Sequence, residues 1–168
     1  MRSIYEKASQ IKTTALVKSR PSSSSLDIFL QEADPQRFRY LEGKYIEEYT
    51  DAELSNIGKA SVITDFMGPL ACSRDLNMVL AQYLKLLKKD GKIFIFDAEE
   101  FKAYDRGQLL NFEQWLRLIR GFKITKLEAE EENRFVVRLT GQPIVLPRLE
   151  LIQFEDYHPP RRVFEIIP

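Results

Sequence analysis

Residues 60–97 constrain the fold of this chain more than any other stretch. The β-branched run SVITD at 61–65 is typical of a short strand, and KIFIF at 92–96 predicts a second strand that is buried on both faces. Between them, residues 76–89 carry apolar side chains at a helical spacing. This order predicts a parallel β-α-β unit whose right-handed crossover places the helix on one sheet face.

The ends of this helix have their own signals. Ser73 or Asp75 can cap its first turn, and the lysine-rich turn before Gly91 is predicted to end it, with Gly91 in a left-handed conformation. The loop at 65–69 follows the first strand. Ligands of α/β sheets bind at the carboxyl ends of strands, so this loop is the first place to look for a site.

Other segments carry shorter patterns. Thr50 and Glu53 have the spacing of a capping box before a short helix over 50–57, and Asn111 can cap a third helix over 112–120. The sequences FKITKLE and RFVVRLT predict an antiparallel hairpin around an acidic, solvated turn. Further strands are predicted at 38–46, 148–154 and 162–167.

The first 25 residues differ from the rest of the chain. Residues 3–20 follow a weak helical spacing, and Pro21 with the serines at 22–25 forms a segment that cannot bury apolar surface. We therefore expect an N-terminal helical arm and serine-rich linker over 1–25. One α/β domain is expected over 26–168.

Composition excludes several functional classes. Lysine plus arginine and aspartate plus glutamate each number 25, so no global field attracts nucleic acid, and no nucleic-acid partner is expected. A single cysteine and a single histidine make a zinc site improbable. No apolar run reaches membrane-spanning length and the N-terminus lacks a signal-peptide core, so no membrane association and a cytoplasmic location are predicted.

Three sequence motifs and the late hairpin, within roughly residues 38–140, are together similar to a known protein family. The motifs are LEGKYIEEY at 41–49, VITDFMGPLACSRD at 62–75 and YLKLLKKDGKIFIF at 83–96. This part of the chain resembles the C-terminal half of class I S-adenosylmethionine-dependent methyltransferases. The resemblance implies an α/β fold, namely a Rossmann-like methyltransferase sheet that is incomplete or modified at its N-terminal strands and has a C-terminal antiparallel hairpin.

The same resemblance implies a site and a cofactor, S-adenosylmethionine. It places Asp65, Phe66, Gly68 and Pro69 near the cofactor and the methyl acceptor, with Asp65 as the polar anchor, and Glu47 near the adenine. Two simpler interpretations stay open. Asp65 could cap local amides in a plain turn, and Glu47 could lie in a solvated acidic loop.

Several other residues have a chemical and a structural interpretation. Tyr45, Phe66 and Trp115 could wall a ligand pocket, although aromatic residues more often belong to the core. Cys72 and His158 lack the neighbours that a nucleophile or general base needs, so structural roles are expected.

The arginine pair at 161–162 could bind an anion, but a surface ion pair is the simpler expectation.

Two functions follow from these observations. The first is an S-adenosylmethionine-dependent methyltransferase, or a truncated portion of one, with an unknown acceptor. The second is a non-catalytic methyltransferase-like domain that acts as a partner-binding or oligomerisation module. The seven glycines include no two within four residues, so no GxGxG turn is present to favour the first. An uncovered sheet edge would predict a homo-oligomer or a partner chain that completes the sheet.

Overall fold

The computed structural model consists of two compact units, residues 1–49 and 50–168. It describes residues 11–17, 28, 31–66, 68–96, 101–127, 134–157 and 160–168. Some predictions fall outside these residues. They are the first part of the 3–20 helix, the linker boundary after residue 25, the acidic turn of the hairpin, and His158.

The 1–49 unit contains a small parallel sheet. Strand β1 (Thr13–Val17) pairs with β2 (Phe38–Glu42), and a 3-10 helix follows at Ile46–Glu48. The strand predicted from residue 38 is thus confirmed in its first half. The helix predicted over 3–20 is wrong for 13–17, where threonine and valine side chains suit a paired strand better than a weak helical stripe.

The 50–168 unit holds the remaining elements. None of the described helices is both long and apolar enough to span a membrane. The helices described in this unit are α1 (Asp51–Ile57), α2 (Pro69–Cys72), α3 (Leu76–Leu86) and α4 (Phe112–Leu118). Its strands are β3 (Ala60–Phe66), β4 (Leu87–Phe96), β5 (Phe101–Asp105), β6 (Gln108–Leu110), β7 (Phe122–Leu127), β8 (Arg134–Leu139), β9 (Arg148–Glu155) and β10 (Arg161–Ile167).

These strands form two four-stranded mixed sheets. The first has the order β3-β4-β8-β7, with β3 parallel to β4 and the other neighbours antiparallel. The second has the order β6-β5-β10-β9, with β5 parallel to β10. The parallel β3-α3-β4 unit and the β7-β8 hairpin confirm two sequence predictions.

The predicted fold class is nevertheless wrong. Among the described residues 48% are in strands and 26% are helical, and only four helices accompany the mixed sheets, so a Rossmann-like methyltransferase fold is not supported. Residues 101–110 and 148–167 build a second sheet where a doubly wound fold would alternate helices with parallel strands. The strands predicted at 148–154 and 162–167 are confirmed as β9 and β10, but short-range periodicity did not reveal that they pair into a second sheet.

The helix caps agree with the sequence because they depend on residues within one turn. The Glu53 carboxylate accepts the Thr50 N–H at 2.9 Å, and Thr50 Oγ1 accepts the Glu53 N–H at 3.3 Å. Asn111 and Gln114 form the same reciprocal pair at the start of α4. Asp75 caps α3 by accepting the Met78 N–H at 2.9 Å.

The end of α3 differs from its prediction. The helix stops at Leu86 and β4 begins at Leu87, so Lys88 and Lys89 lie in a strand and not in a last helical turn. Gly91 does not have a positive φ. A Cβ at this position would come within 2.6 Å of Leu87 Cδ1, so close packing explains the glycine.

An aromatic cluster joins the two sheets. Phe101 of β5 stacks on Phe164 of β10, with ring centroids 5.6 Å apart, and lies 5.2 Å from Trp115 of α4. Phe112 of α4 extends the cluster to Phe135 of β8, at 6.1 Å. All five side chains are almost completely buried. Burial of aromatic residues contributes several kcal/mol, roughly 2 or more per ring, so this cluster is a principal source of stability.

Arg162 links the second sheet to the segment between β3 and α3. Its guanidinium is 1% exposed and donates to the Ser73 carbonyl at 2.8 Å and to the Leu70 carbonyl at 2.9 Å. The prediction of a surface ion pair is therefore wrong for Arg162. It is confirmed for Arg161, which lies 3.9 Å from Glu155 at the surface. The alternation of side chains along β10 turns these neighbours to opposite faces.

We predict that Arg162→Met lowers the free energy of unfolding by about 3 kcal/mol, because it leaves two buried carbonyls without their donor. Urea denaturation followed by circular dichroism measures the change. Arg161→Met is the matched control and should cost less than about 0.5 kcal/mol, since exposed ion pairs contribute little. Equal losses in both variants would show that the Arg162 hydrogen bonds do not stabilise the fold.

Candidate functional site

The loop after β3 is organised around the side chain of Asp65. Its carboxylate accepts the Gly68 N–H at 2.9 Å and the Leu70 N–H at 3.0 Å. It also accepts the Tyr83 hydroxyl of α3 at 2.6 Å. The side chain is 2% exposed. The carboxylate therefore faces the protein interior, where it binds three donors of its own chain.

Gly68 and Pro69 have local structural reasons for their places. A Cβ on Gly68 would come within 2.6 Å of Asp65 Oδ1, so only glycine lets the chain wrap this closely around the carboxylate. Pro69 is the first residue of α2, where a missing N–H costs nothing. The geometry agrees with the interpretation in which Asp65 binds local amides.

Burial has the largest influence on the pKa of Asp65. Loss of hydration raises the pKa of its carboxyl above the usual 3.8, against the lowering effects of Tyr83, the two backbone N–H groups and the Arg162 charge. A raised pKa would suit a general base. However, a base must also reach the proton that it removes, and this carboxylate is enclosed by its own donors.

The structure separates the predicted site residues. Asp65, Gly68 and Pro69 are brought together, but Phe66 points to the opposite face of the sheet, where it is 61% exposed. Glu47 belongs to the 1–49 unit. The predicted cofactor-binding set therefore does not form a single cluster within the 50–168 unit.

The three aromatic residues that were predicted to line a ligand pocket do not share one environment. Trp115 is fully buried in the aromatic cluster, which confirms its core role, whereas Phe66 is exposed on the other side of the first sheet. Tyr45 belongs to the 1–49 unit and is exposed.

The remaining candidates give no catalytic group. Cys72 is half-buried, and burial raises the pKa of its thiol, which disfavours the reactive thiolate. Across the described residues, no cluster of three or more histidine, cysteine or acidic side chains is arranged to hold a metal ion.

One open cavity of about 450 Å³ lies away from Asp65, between the ends of α1 and α3. Its polar groups bind one another. Lys85 Nζ lies 2.6 Å from Asp51, and Lys59 Nζ donates to the Lys85 carbonyl. Because these charged side chains already bind neighbouring protein groups, the cavity has few polar groups directed towards a bound ligand.

The first sheet has two unlike faces. On the inner face lie Asp65, which binds Tyr83 of α3, and Lys126, which lies 3.7 Å from Glu113 of α4, so both helices cover this side. No described helix of the 50–168 unit makes such a contact with the other side, which we call the outer face. The register places twelve residues there: Val62, Thr64, Phe66, Lys92, Phe94, Phe96, Lys123, Thr125, Leu127, Arg134, Val136 and Arg138.

Two of the three rows of the outer face combine apolar side chains with two threonines and Arg134. Phe66 packs edge-on against Phe96 with centroids 5.1 Å apart, and Arg134 lies over the Phe96 ring at 5.3 Å. Phe94 and Phe96 are half-buried, so the prediction that 92–96 is buried on both faces is wrong. Phe66 is 61% exposed, Phe94 and Phe96 keep part of their surface accessible, and Val136 beside them is buried. A patch of accessible apolar side chains is typical of an interaction surface.

The third row of the outer face is cationic. Lys92, Arg138 and Lys123 occupy directly opposed positions on β4, β8 and β7. Opposed side chains in a sheet lie about 5 Å apart, and like charges in such positions are destabilising. The twelve positions include no acidic residue, and no described carboxylate forms an ion pair with these three. The alternation of Lys92, Phe94 and Phe96 was the sequence signal for this face.

Comparisons with known proteins do not assign this arrangement. A scan against models of protein families and a search of curated proteins each found no match to the sequence.

We predict that Asp65→Asn lowers the free energy of unfolding by about 2 kcal/mol, because an amide cannot accept from all three donors and leaves a buried N–H unpaired. Thermal or urea denaturation measures the loss. Asp75→Asn is the matched control, since asparagine caps a helix as well as aspartate, and little change is expected there. An Asp65→Asn variant as stable as the parent chain would argue against a structural role for the carboxylate.

Proposed function

We propose that this chain is a non-catalytic binding module, and that its outer face binds an acidic, amphipathic helix of another protein. The observation that supports the proposal is the outer face itself, where apolar side chains lie beside a cationic row that forms no ion pair with any described carboxylate. The proposal of a non-catalytic module is supported by Asp65, whose carboxylate already accepts hydrogen bonds from Gly68, Leu70 and Tyr83. A cytoplasmic location is part of the proposal.

The dimensions and charges favour a helix as the bound element. Four strands span about 14 Å between their outer axes, and a helix with its side chains is about 10–12 Å across. Its apolar stripe would cover Phe66, Phe94 and Phe96. Acidic side chains on one flank would then meet Lys92 and Arg138, and relieve the repulsion within the cationic row.

This proposal predicts binding of a synthetic 18-residue peptide with leucines at helical spacing and glutamates on its polar flank, measured by fluorescence anisotropy. A Lys92→Glu/Arg138→Glu variant should bind at least about tenfold more weakly, because its charges would repel the peptide. Lys102→Glu/Arg148→Glu carries the same charge change on exposed positions of the second sheet and should bind normally.

Control ligands distinguish an acidic helix from a basic peptide, a nucleic acid and an anionic membrane as the partner of the outer face. A peptide with lysines in place of the glutamates should bind poorly. Equal binding of both peptides, or no effect of the Lys92→Glu/Arg138→Glu change, would contradict the proposal. Tighter binding of a single-stranded oligouridylate or of anionic lipid vesicles would identify the outer face as a surface for those polyanions instead.

A second candidate function is methyl transfer from S-adenosylmethionine. It is favoured by the parallel β3-α3-β4 unit, which brings the Asp65 loop to the carboxyl ends of two strands. Any such enzyme would have to bind its cofactor without the glycine turn that this sequence lacks.

We predict that calorimetric titration with S-adenosylmethionine and with S-adenosylhomocysteine gives no binding heat at protein concentrations that detect a dissociation constant of about 10 μM. The reason is that Asp65, the best candidate anchor, is 2% exposed and already accepts three hydrogen bonds. Saturable binding of either compound would overturn the non-catalytic proposal. Weakening of that binding by Phe66→Ser would then locate the site.

A further inference from the structure

Strand β3 is the least protected edge of the 50–168 unit. It pairs with β4 and with no other described strand, so one side of its backbone has hydrogen-bonding groups free of a sheet partner. It is seven residues long, and its single charged residue, Asp65, is buried on the inner face. Long, uncharged edges invite pairing with another strand.

The other edges of this unit have protective features. Strand β7 carries Lys123 and Lys126, and β9 has charged residues along its length. Strand β6 is only three residues long. Charged side chains and short length are the usual devices that keep edge strands from associating. Their absence from β3 singles out this edge.

The sequence of β3 is complementary to itself. In an antiparallel pair of two β3 strands centred on Thr64, Val62 of one copy lies opposite Phe66 of the other. Val62 is 53% exposed and Phe66 61%, so each has apolar surface left to bury. Aromatic and β-branched residues form favourable opposed pairs, as do two threonines at the centre. The Asp65 carboxylate already faces Gly68, Leu70 and Tyr83, so it needs no rearrangement.

We propose that two copies of this chain associate through their β3 edges in this register and form one continuous eight-stranded sheet. The inference goes beyond the proposed function and does not depend on it. Charge favours this mode over face-to-face packing. Two outer faces packed together would bring cationic rows into one interface, whereas edge pairing buries no exposed charge of β3.

The dimer should be weak. One strand pair with its flanking side chains buries less than a standard interface, which is about 1,600 Å². Sedimentation velocity of the full chain from about 1 to 200 μM should therefore show a monomer–dimer equilibrium in the micromolar range. A strict monomer at the highest concentration would overturn the inference.

A charge at the symmetry axis tests the interface. Thr64→Lys places two ammonium groups opposite each other and should raise the dimer dissociation constant at least about tenfold. Thr125→Lys is the matched control, because Thr125 is exposed in the same row on the opposite edge strand. It should leave dimerisation unchanged. If Thr125→Lys weakens the dimer and Thr64→Lys does not, the contact is elsewhere and the inference is wrong.

A disulfide gives a positive test that does not depend on losing association. In the proposed register the Cα atoms of the two Thr64 residues lie about 4.5–5.5 Å apart, within reach of a disulfide. Thr64→Cys in a Cys72→Ser background should form a covalent dimer under mild oxidation, and Thr125→Cys in that background should not. Failure of Thr64→Cys to crosslink, with the chain folded by circular dichroism, would exclude the register.

Discussion

The carboxylate of Asp65 is the constraint on which the middle of this structure depends. It lies at the end of β3, where the chain must turn back towards α3, and it binds the Gly68 and Leu70 amides and the Tyr83 hydroxyl. Arg162 then holds the Leu70 and Ser73 carbonyls from the second sheet. The backbone between β3 and α3 is thus fixed through its N–H groups by one sheet and through its C=O groups by the other. A buried polar connection of this kind is stable only when each group has its partner.

This arrangement changes how the loop is interpreted. At the end of a parallel strand, an aspartate beside a Gly-Pro pair suggests a ligand site, but here the same residues satisfy one another. Gly68 has no room for a side chain because its backbone packs directly against the Asp65 carboxylate. Pro69 is the first residue of α2. The binding surface that we propose is instead the outer face of the same sheet. Its cationic row forms no ion pair with a described carboxylate.

The sequence predicted what depends on neighbouring residues and failed where distant segments meet. Thr50 and Glu53 interact within one turn, so their pattern sufficed to place α1. The parallel β3-β4 pair followed from two apolar runs and the helix between them. By contrast, Arg162 reaches carbonyls about 90 residues away in the chain, and nothing beside it in the sequence distinguishes it from exposed Arg161. The second sheet, and with it the fold class, depends equally on such long-range pairing.

Strand β4 shows why the error in face assignment matters for function. KIFIF is apolar enough to suggest burial on both faces, yet only Ile93 and Ile95 face α3 and α4. Lys92, Phe94 and Phe96 alternate with them and form the outer face. Among the described residues of the 50–168 unit, no helix is shown to cover this second face of β4. In the described part of the 50–168 unit, the apolar side chains, the cationic row and the β3 edge without exposed charge together have the composition of a surface that another polypeptide covers.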